Sequence, residues 1–277
     1  MASQQNIGTT SNFSLPFITN NSEKMRLTNT GNLGIGTSTF NATYPEKLVV
    51  DAGTTTSVNA IVGKGSINSY LQLNIQNNSS GTNSSSDVVA TANNGDETNN
   101  YIDMGINGGG NTSGVMGNAD DGYLYNVGQN LLMGTATASK SVVFMTGGTT
   151  QSTNERMRID GNGLVGIGTN APASTLQVAG SLALAITTKA ITYTAAAGDH
   201  TIICNNSGAI TINLPAAAGC SGRIYVVKKI SGAALNVTID PNASETVDGA
   251  ATRVLTTQYE SVMIQSDGSN WFILSKN

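Results

Sequence analysis

Apolar and polar residues alternate in short runs along most of the chain, and clusters of Gly, Asn, Ser and Asp separate the runs. A period of two sends successive side chains to opposite faces of a strand, and the small polar clusters tolerate the dihedrals of turns. Met157 and Ile159 alternate with Arg156 and Arg158, DGNG follows at 160–163, and Val165 and Ile167 then alternate with Gly166 and Gly168. This stretch predicts a β-hairpin whose returning strand has one apolar and one bare face. Glycine at alternate strand positions predicts close approach of another backbone, from the same chain or from a second copy. Further strands are predicted at YIDMGIN (101–107), DGYLYN (121–126) and SVVFMTGG (141–148), with short alternating runs in 48–75 that include Tyr70, Leu71, Leu73 and Ile75. Residues 77–100 are nearly low-complexity and predict a long exposed loop around one short strand. From residue 181 the texture changes. TIIC (201–204), AITINL (209–214), RIYVVKKI (223–230), LNVTID (235–240), ESVMIQ (260–265) and NWFILS (270–275) recur about every 10 residues with turn signals between them, the pattern of a β-sandwich or barrel.

The hairpin pattern repeats. Residues 23–37 read EKMRLTNTGNLGIGT and residues 155–169 read ERMRIDGNGLVGIGT, an ungapped offset of 132 with eight of fifteen positions identical. A fainter third copy is predicted at 128–135, GQNLLMGT. A repeated unit of this kind is structural, and this decides how to read GNGLVG at 161–166, which fits the G-x-G-x-x-G of a dinucleotide turn. That turn needs a helix after it and a carboxylate about 20 residues on. Here Gly166, Gly168 and Pro172 prevent a helix, the next carboxylate after Asp160 is Asp199, and the other copy has Asn29 in place of the first glycine. No cofactor is expected.

Composition supports the all-β reading. Of 277 residues only 11% are charged, and Gly and Asn contribute 32 each. Asn, Gly and Ser disfavour helix, whereas Thr, Val, Ile and Tyr suit strands. The net charge of −4 argues against nucleic-acid binding, which requires a basic face. No apolar run is long enough for a membrane helix, so no membrane partner is expected. The start, MASQQNIGTTSN, lacks the basic and apolar regions of a secretory signal. Cys204 and Cys220 read as two small buried side chains rather than as a disulfide.

Candidate chemistry is sparse. His200, the sole histidine, lies at a strand start, where a surface or capping role is expected. The nearest acidic clusters are Asp96/Glu97 and Asp120/Asp121, whose adjacent members point to opposite faces of a strand. Asp103 with Asp120 or Asp121 is the one imaginable pair for a glycan-cleaving site, which sets two carboxylates across a groove. NADDG at 118–122 reads as a solvated loop in preference to a calcium site. Tyr123, Tyr125, Tyr193, Tyr225, Tyr259, Trp271 and Phe272 are aromatics able to stack on sugars, although packing explains most of them more simply. The N-x-S/T triplets at Asn111 and Asn236 are expected by chance in so Asn-rich a chain. No catalytic, cofactor or metal residues are assigned, and the receptor-binding residues are not identified.

ERMRIDGNGLVGIGTNAPASTLQV is similar to a module common in bacteriophage tail-fibre and other virion fibre proteins. The run from TNNYIDMGIN through DGYLYNVGQNLLMGT to FMTGGTTQSTNERMRI resembles the same fibres, and the stretch from ITINLPAAAGCSGRIYVVKKI to NWFIL resembles a domain at the distal ends of such appendages. Many relatives carry a self-cleaving chaperone after the GIGT module, and this chain instead continues into 181–277. The resemblance implies an all-β homotrimer: a fibrous stalk of short hairpins, β-prism or β-solenoid, followed by a C-terminal sandwich knob. The expected divisions are an N-terminal arm at 1–22 for attachment to a capsid or tail protein, hairpin repeats at 23–50 and 151–180, a central stalk at 51–150, and the knob at 181–277. The expected function is adhesion to a host-surface glycan or protein from the virion, after assembly in the host cytoplasm. The alternatives are a decorating protein without a receptor, or a glycan-degrading spike. Few large apolar side chains occur in the first 180 residues, so a lone chain would bury little, and three chains sharing an axis would cover each other's edges. The monomeric alternative is a flat solenoid with its own core.

Overall fold

The computed structural model describes residues 7–113, 116–232 and 234–277. The protein is all-β, with 35% of residues in strands and 3% helical. It divides into two compact units, Met1–Leu131 and Leu132–Asn277.

In the first unit, β1 (Leu15–Thr19), β2 (Ser22–Leu27), β3 (Leu33–Ile35) and β4 (Leu48–Val50) form one sheet in that order. The first two pairings are antiparallel and the last, β3 with β4, is parallel. A second sheet is an antiparallel meander of β5 (Ser85–Thr91), β6 (Tyr101–Asn107) and β7 (Gly122–Val127). The second unit opens with β8 (Val142–Met145), a single helical turn α1 (Gln151–Asn154), β9 (Glu155–Ile159), β10 (Val165–Ile167) and β11 (Leu176–Val178). Their order and pairing directions repeat those of β1 to β4. The repeating unit is therefore a four-stranded module, larger than the hairpin the sequence predicts. Leu15–Thr19, within the expected 1–22 arm, is its first strand, and residues 1–6 of that arm lie outside the described residues. The sequence match misses this strand because the link to the next one differs. In the first module Asn20 and Asn21 turn it at φ 49° and 56°, the positive-φ pair that a tight hairpin requires. In the second module the link runs through α1.

The identical Glu and Arg of the two copies owe their contact to an irregularity. Residues i and i+3 of a regular strand face opposite ways. In the first module Phe17 pairs with Met25 but Ile18 pairs with Glu23, so Lys24 is an extra residue. In the second, Phe144 pairs with Met157 and Met145 with Glu155, leaving Arg156 extra. Each bulge brings Glu and Arg to one side. Arg26 donates from Nε and Nη2 to Glu23 at 2.7 and 2.6 Å, and Arg158 donates to Glu155 at 2.6 and 2.7 Å.

The alternate glycines meet their own chain. A Cβ on Gly166 would stand 2.5 Å from the Thr169 carbonyl oxygen, and one on Gly34 would strike the Thr37 carbonyl. Gly36 and Gly168 have φ of +78° and +70° and lie against the backbone at Asp51 and Ala179. The Gly-Ile-Gly-Thr sequence is thus a strand that folds back over itself. Gly166→Ala should lower stability by about 1–3 kcal/mol through overpacking against backbone, visible as a lower melting temperature; an unchanged melt would refute the clash. The faint third copy at 128–135 is no module. It forms no strand, and around Gly134 a Cβ would meet nothing within 4 Å. The alternating runs after β4 also form no strand, and residues 51–83 are exposed throughout. Alternation suits a strand, but a strand also needs a neighbour, and nothing in this chain pairs with these residues.

The rest of the second unit comprises β12 (Ile186–Lys189), β13 (Tyr193–Thr194), β14 (Thr201–Cys204), β15 (Ile210–Asn213), β16 (Ile224–Lys229), β17 (Val237–Asp240), β18 (Arg253–Leu255), β19 (Ser261–Ser266) and β20 (Trp271–Lys276). Two sheets, ordered β12-β14-β16-β19-β20 and β13-β15-β17-β18, enclose one core. Their inner faces supply Ile202, Tyr225, Val227, Val262, Ile264 and Trp271 from one side and Ile210, Ile212, Val237, Ile239 and Leu255 from the other. The ten-residue spacing predicts two such sheets but leaves the connections open. From β12 to β17 the chain passes alternately between the sheets, and β12, β14 and β16 pair in parallel, as do β13, β15 and β17. The chain thus winds as a short coil, and antiparallel β18, β19 and β20 finish the sheets.

Both cysteines are free, with Cys204 buried and Cys220 half-buried. Burial pushes the Cys204 thiol up to about 11. A thiolate reagent should therefore modify Cys220 first and reach Cys204 only on unfolding, as peptide mass mapping would reveal. Equal labelling of both in the native protein would contradict the packing.

Candidate functional site

The two modules each expose one wholly apolar sheet face. In the first, Leu15, Leu27, Leu33 and Leu48 align across the strands, and Phe17, Met25, Ile35 and Val50 form the next row on the same side. In the second the rows are Val142, Ile159, Val165, Leu176 and Phe144, Met157, Ile167, Val178. Equivalent residues are exposed to nearly the same extent: Phe17 41% and Phe144 45%, Ile35 and Ile167 both 40%. Eight large apolar side chains in this state leave on the order of 400 Å² bare per module, about half of the ~800 Å² that each partner buries in a standard interface. The β5–β7 sheet has a similar face, with Val88, Met104 and Leu124 in one cross-strand row and Ile102 and Ile106 beside it.

The opposite face of that meander is polar and partly closed. Asp87, Val89 and Thr91 from β5, Tyr101 and Asp103 from β6, Tyr125 from β7, and Asp96 and Glu97 from the β5–β6 loop line a cleft of about 240 Å³. Val89, Asp103 and Tyr125 form one cross-strand row; Asp87, Gly105 and Tyr123 form the next. Gly105 leaves open the path by which the Tyr123 hydroxyl donates to Asp87, because a Cβ there would strike both groups. Asp87 also accepts from Ser85 Oγ at 2.7 Å, and Asp96 accepts from the Thr98 and Asn99 amides at 2.7 and 2.9 Å. Tyr101 and Tyr125 share a hydroxyl contact of 3.3 Å, and their rings meet edge to face at 6.0 Å.

Asp103 is the exception. It is 6% exposed, and its Oδ1 is buried without a hydrogen-bond partner. Burial first, and the charge of Asp87 second, raise its carboxyl above the usual range, while the Tyr125 hydroxyl draws it back. Burial pushes the Tyr123 hydroxyl up to about 12, reinforced by its bond to Asp87.

The structure separates the carboxylates that the sequence suggested as a pair. Asp103 lies opposite Tyr125, whereas Asp121 precedes β7 at the level of Asn107. Four residues along a strand amount to about 13 Å. Asp120 occupies the turn at φ 64°, and Asp121 accepts from the Asn118 amide at 2.6 Å. Among the described residues no three His, Cys, Asp or Glu side chains converge as a metal group would. His200 touches Thr201 Oγ1 through Nδ1 at 3.0 Å. Tyr225 and Trp271 are fully buried against one another at 5.5 Å. Tyr193 donates to Asp199 at 2.9 Å and carries the Lys189 ammonium over its ring at 3.7 Å. Tyr259 and Phe272 remain exposed. Asn111 is buried and bonds the Ser84 carbonyl at 2.9 Å, so it is no accessible glycan acceptor.

Sequence reasoning missed two groups. Asp87 shares a face with Asp103, a relation that only strand pairing reveals. Lys229 is wholly buried, with Nζ donating to the Ser231 and Gly232 carbonyls at 2.8 and 2.5 Å; the alternation of IYVVKK is the signal that could have found it.

No protein-family model matches this chain, and no curated protein matches it.

Proposed function

We propose that this chain is a homotrimeric virion fibre protein of a bacteriophage that mediates attachment to the host surface, polysaccharide being the expected receptor. One observation carries the assembly: two modules with the same pairing pattern each leave an eight-residue apolar face uncovered. A second copy of the same chain is the partner certain to present a matching face. The total exposed surface points the same way, at 19046 Å² for a chain of 28.4 kDa, where a self-sufficient folded monomer of that mass exposes about 11,000 Å². The alternating runs in 51–83, which form no strand in the single chain, would gain strand neighbours when chains associate. In this reading the first residues dock on the capsid or tail, the modules and the meander form the stalk, and 181–277 form the distal end. Three copies per fibre, and several fibres per particle, convert weak single-site contacts into firm attachment.

Sedimentation equilibrium of the purified protein tests the assembly. A mass of three chains supports it, and a stable single chain overturns it. Binding of the same material to host cells tests attachment; a trimer that binds no host cell leaves the reading of a decorating virion protein.

A further inference from the structure

We infer that the Asp103 cleft on the β5–β7 sheet is a subsite for one sugar ring, neutral or amino-substituted, of the surface polysaccharide. The inference rests on the attachment reading for its ligand class, and it adds a contact point on the central sheet to that of the distal residues.

The argument starts from the unused hydrogen-bonding capacity of the cleft. Asp103 Oδ1 is a buried acceptor with no donor, and a buried polar atom left unpaired is costly. Two other carboxylates of the cleft already have partners: half-buried Asp87 is engaged by Tyr123 and Ser85, and exposed Asp96 by its own loop. Asp103 lines the cleft, so a turn of its carboxyl about the Cβ–Cγ bond presents this acceptor to an O–H or N–H donor from outside. Neighbouring hydroxyls of a sugar provide such donors close together, and Glu97, exposed on the loop at the cleft edge, accepts a second. Tyr101 and Tyr125 bring the flat apolar surface on which the C–H face of a sugar packs, and their hydroxyls retain donor and acceptor capacity beyond the contact they share.

Size and charge narrow the class. About 240 Å³ falls just below the roughly 300 Å³ at which pockets for whole small molecules begin, so the cleft takes one ring of a chain that continues into solvent. Four carboxylates line it, and no Lys or Arg does. Uronic and sialic acids are therefore repelled, while neutral hexoses and protonated amino sugars are accepted. The opposite face of the sheet is apolar, so covering that face with another chain leaves the cleft accessible.

Saturation-transfer NMR on the full-length protein tests this with free galactose, glucose, mannose, glucosamine and glucuronic acid as probes. Signal from at least one neutral or amino sugar, none from glucuronic acid, and at least a fivefold loss in Asp103→Asn support the inference, because the substituted amide turns a donor towards hydroxyl donors. Glu97→Gln, an exposed loop change that leaves the fold intact, should weaken the same signal two- to threefold. No signal from any probe, or signal that both variants retain in full, overturns it. Calcium binding by titration calorimetry that Asp103→Asn abolishes, with no sugar signal, also overturns it, in favour of a cation site. Host-cell binding by the wild type without any sugar signal removes the subsite and leaves attachment standing; sugar signal without cell binding supports the subsite and counts against attachment.

Discussion

Phe144→Asp together with Ile167→Asp is expected to reduce the assembled protein to single chains. Phe144 and Ile167 lie in one cross-strand row on the exposed face of the second module, with Met157 between them and Val178 beyond. Each is about half exposed in the lone chain, so the substitutions cost little within a chain. In the assembly each chain would instead lose the ~1.5–3 kcal/mol of burying a large apolar side chain, twice over, and place unpaired carboxylates in an apolar seam. The mass at sedimentation equilibrium should fall to that of one chain, while Cys204 stays protected from thiol reagents because its core is elsewhere. Asn162→Asp, in the exposed turn between β9 and β10, introduces the same charge off the face and should leave the mass unchanged. If the double variant keeps the wild-type mass, these faces are not where the chains meet.

Trp271→Ala should be the most destabilising single change in the second unit, costing about 3–5 kcal/mol, a large part of the 5–15 kcal/mol that holds a typical domain together. Trp271 is the largest fully buried side chain, packs on Tyr225, and anchors the first residue of β20 beside Val247. Its indole Nε1 has no partner, so apolar volume accounts for almost all of its contribution. Trp271→Phe should accordingly cost only about 1 kcal/mol, since the smaller cavity is partly offset by removing an unsatisfied donor. Urea unfolding of the two variants measures this directly. Equal losses would mean that Nε1 does have a hydrogen bond and that the packing account is wrong.

These two expectations fall on parts of the chain that differ in legibility. In 181–277 the period of two is clean, and TIIC coincides with β14 residue for residue, because each inner position meets a core its own chain provides. The same alternation turns Lys229 inward, where its ammonium is held by carbonyls of the loop just after it. In the modules the apolar rows were visible as Met157/Ile159 and Val165/Ile167, yet the first strand of the first module was read as part of an arm, and the strand predicted at 141–148 was not joined to the second hairpin, because links of different length precede the repeat. In 51–83 the pattern suggested strands that the single chain does not form. The cleft was half legible: Tyr101, Asp103 and Gly105 lie two residues apart on one strand, but their neighbours Asp87 and Tyr123 come from strands set by register.

The sequence by itself determined that this protein is all-β, where most of its strands run, that a Gly-Ile-Gly-Thr unit occurs twice, and that its glycine fingerprint opens no helix. Local rules suffice for these, since dihedral preference and side-chain alternation act over a few residues. Only the tertiary structure decided that the glycines accommodate their own chain, that the last sheets are wound as a coil, and that a buried carboxylate beside two tyrosines stands without a donor. Those properties depend on which distant strands pair and in what register, and a one-residue change of register would send every side chain of a strand to the other face.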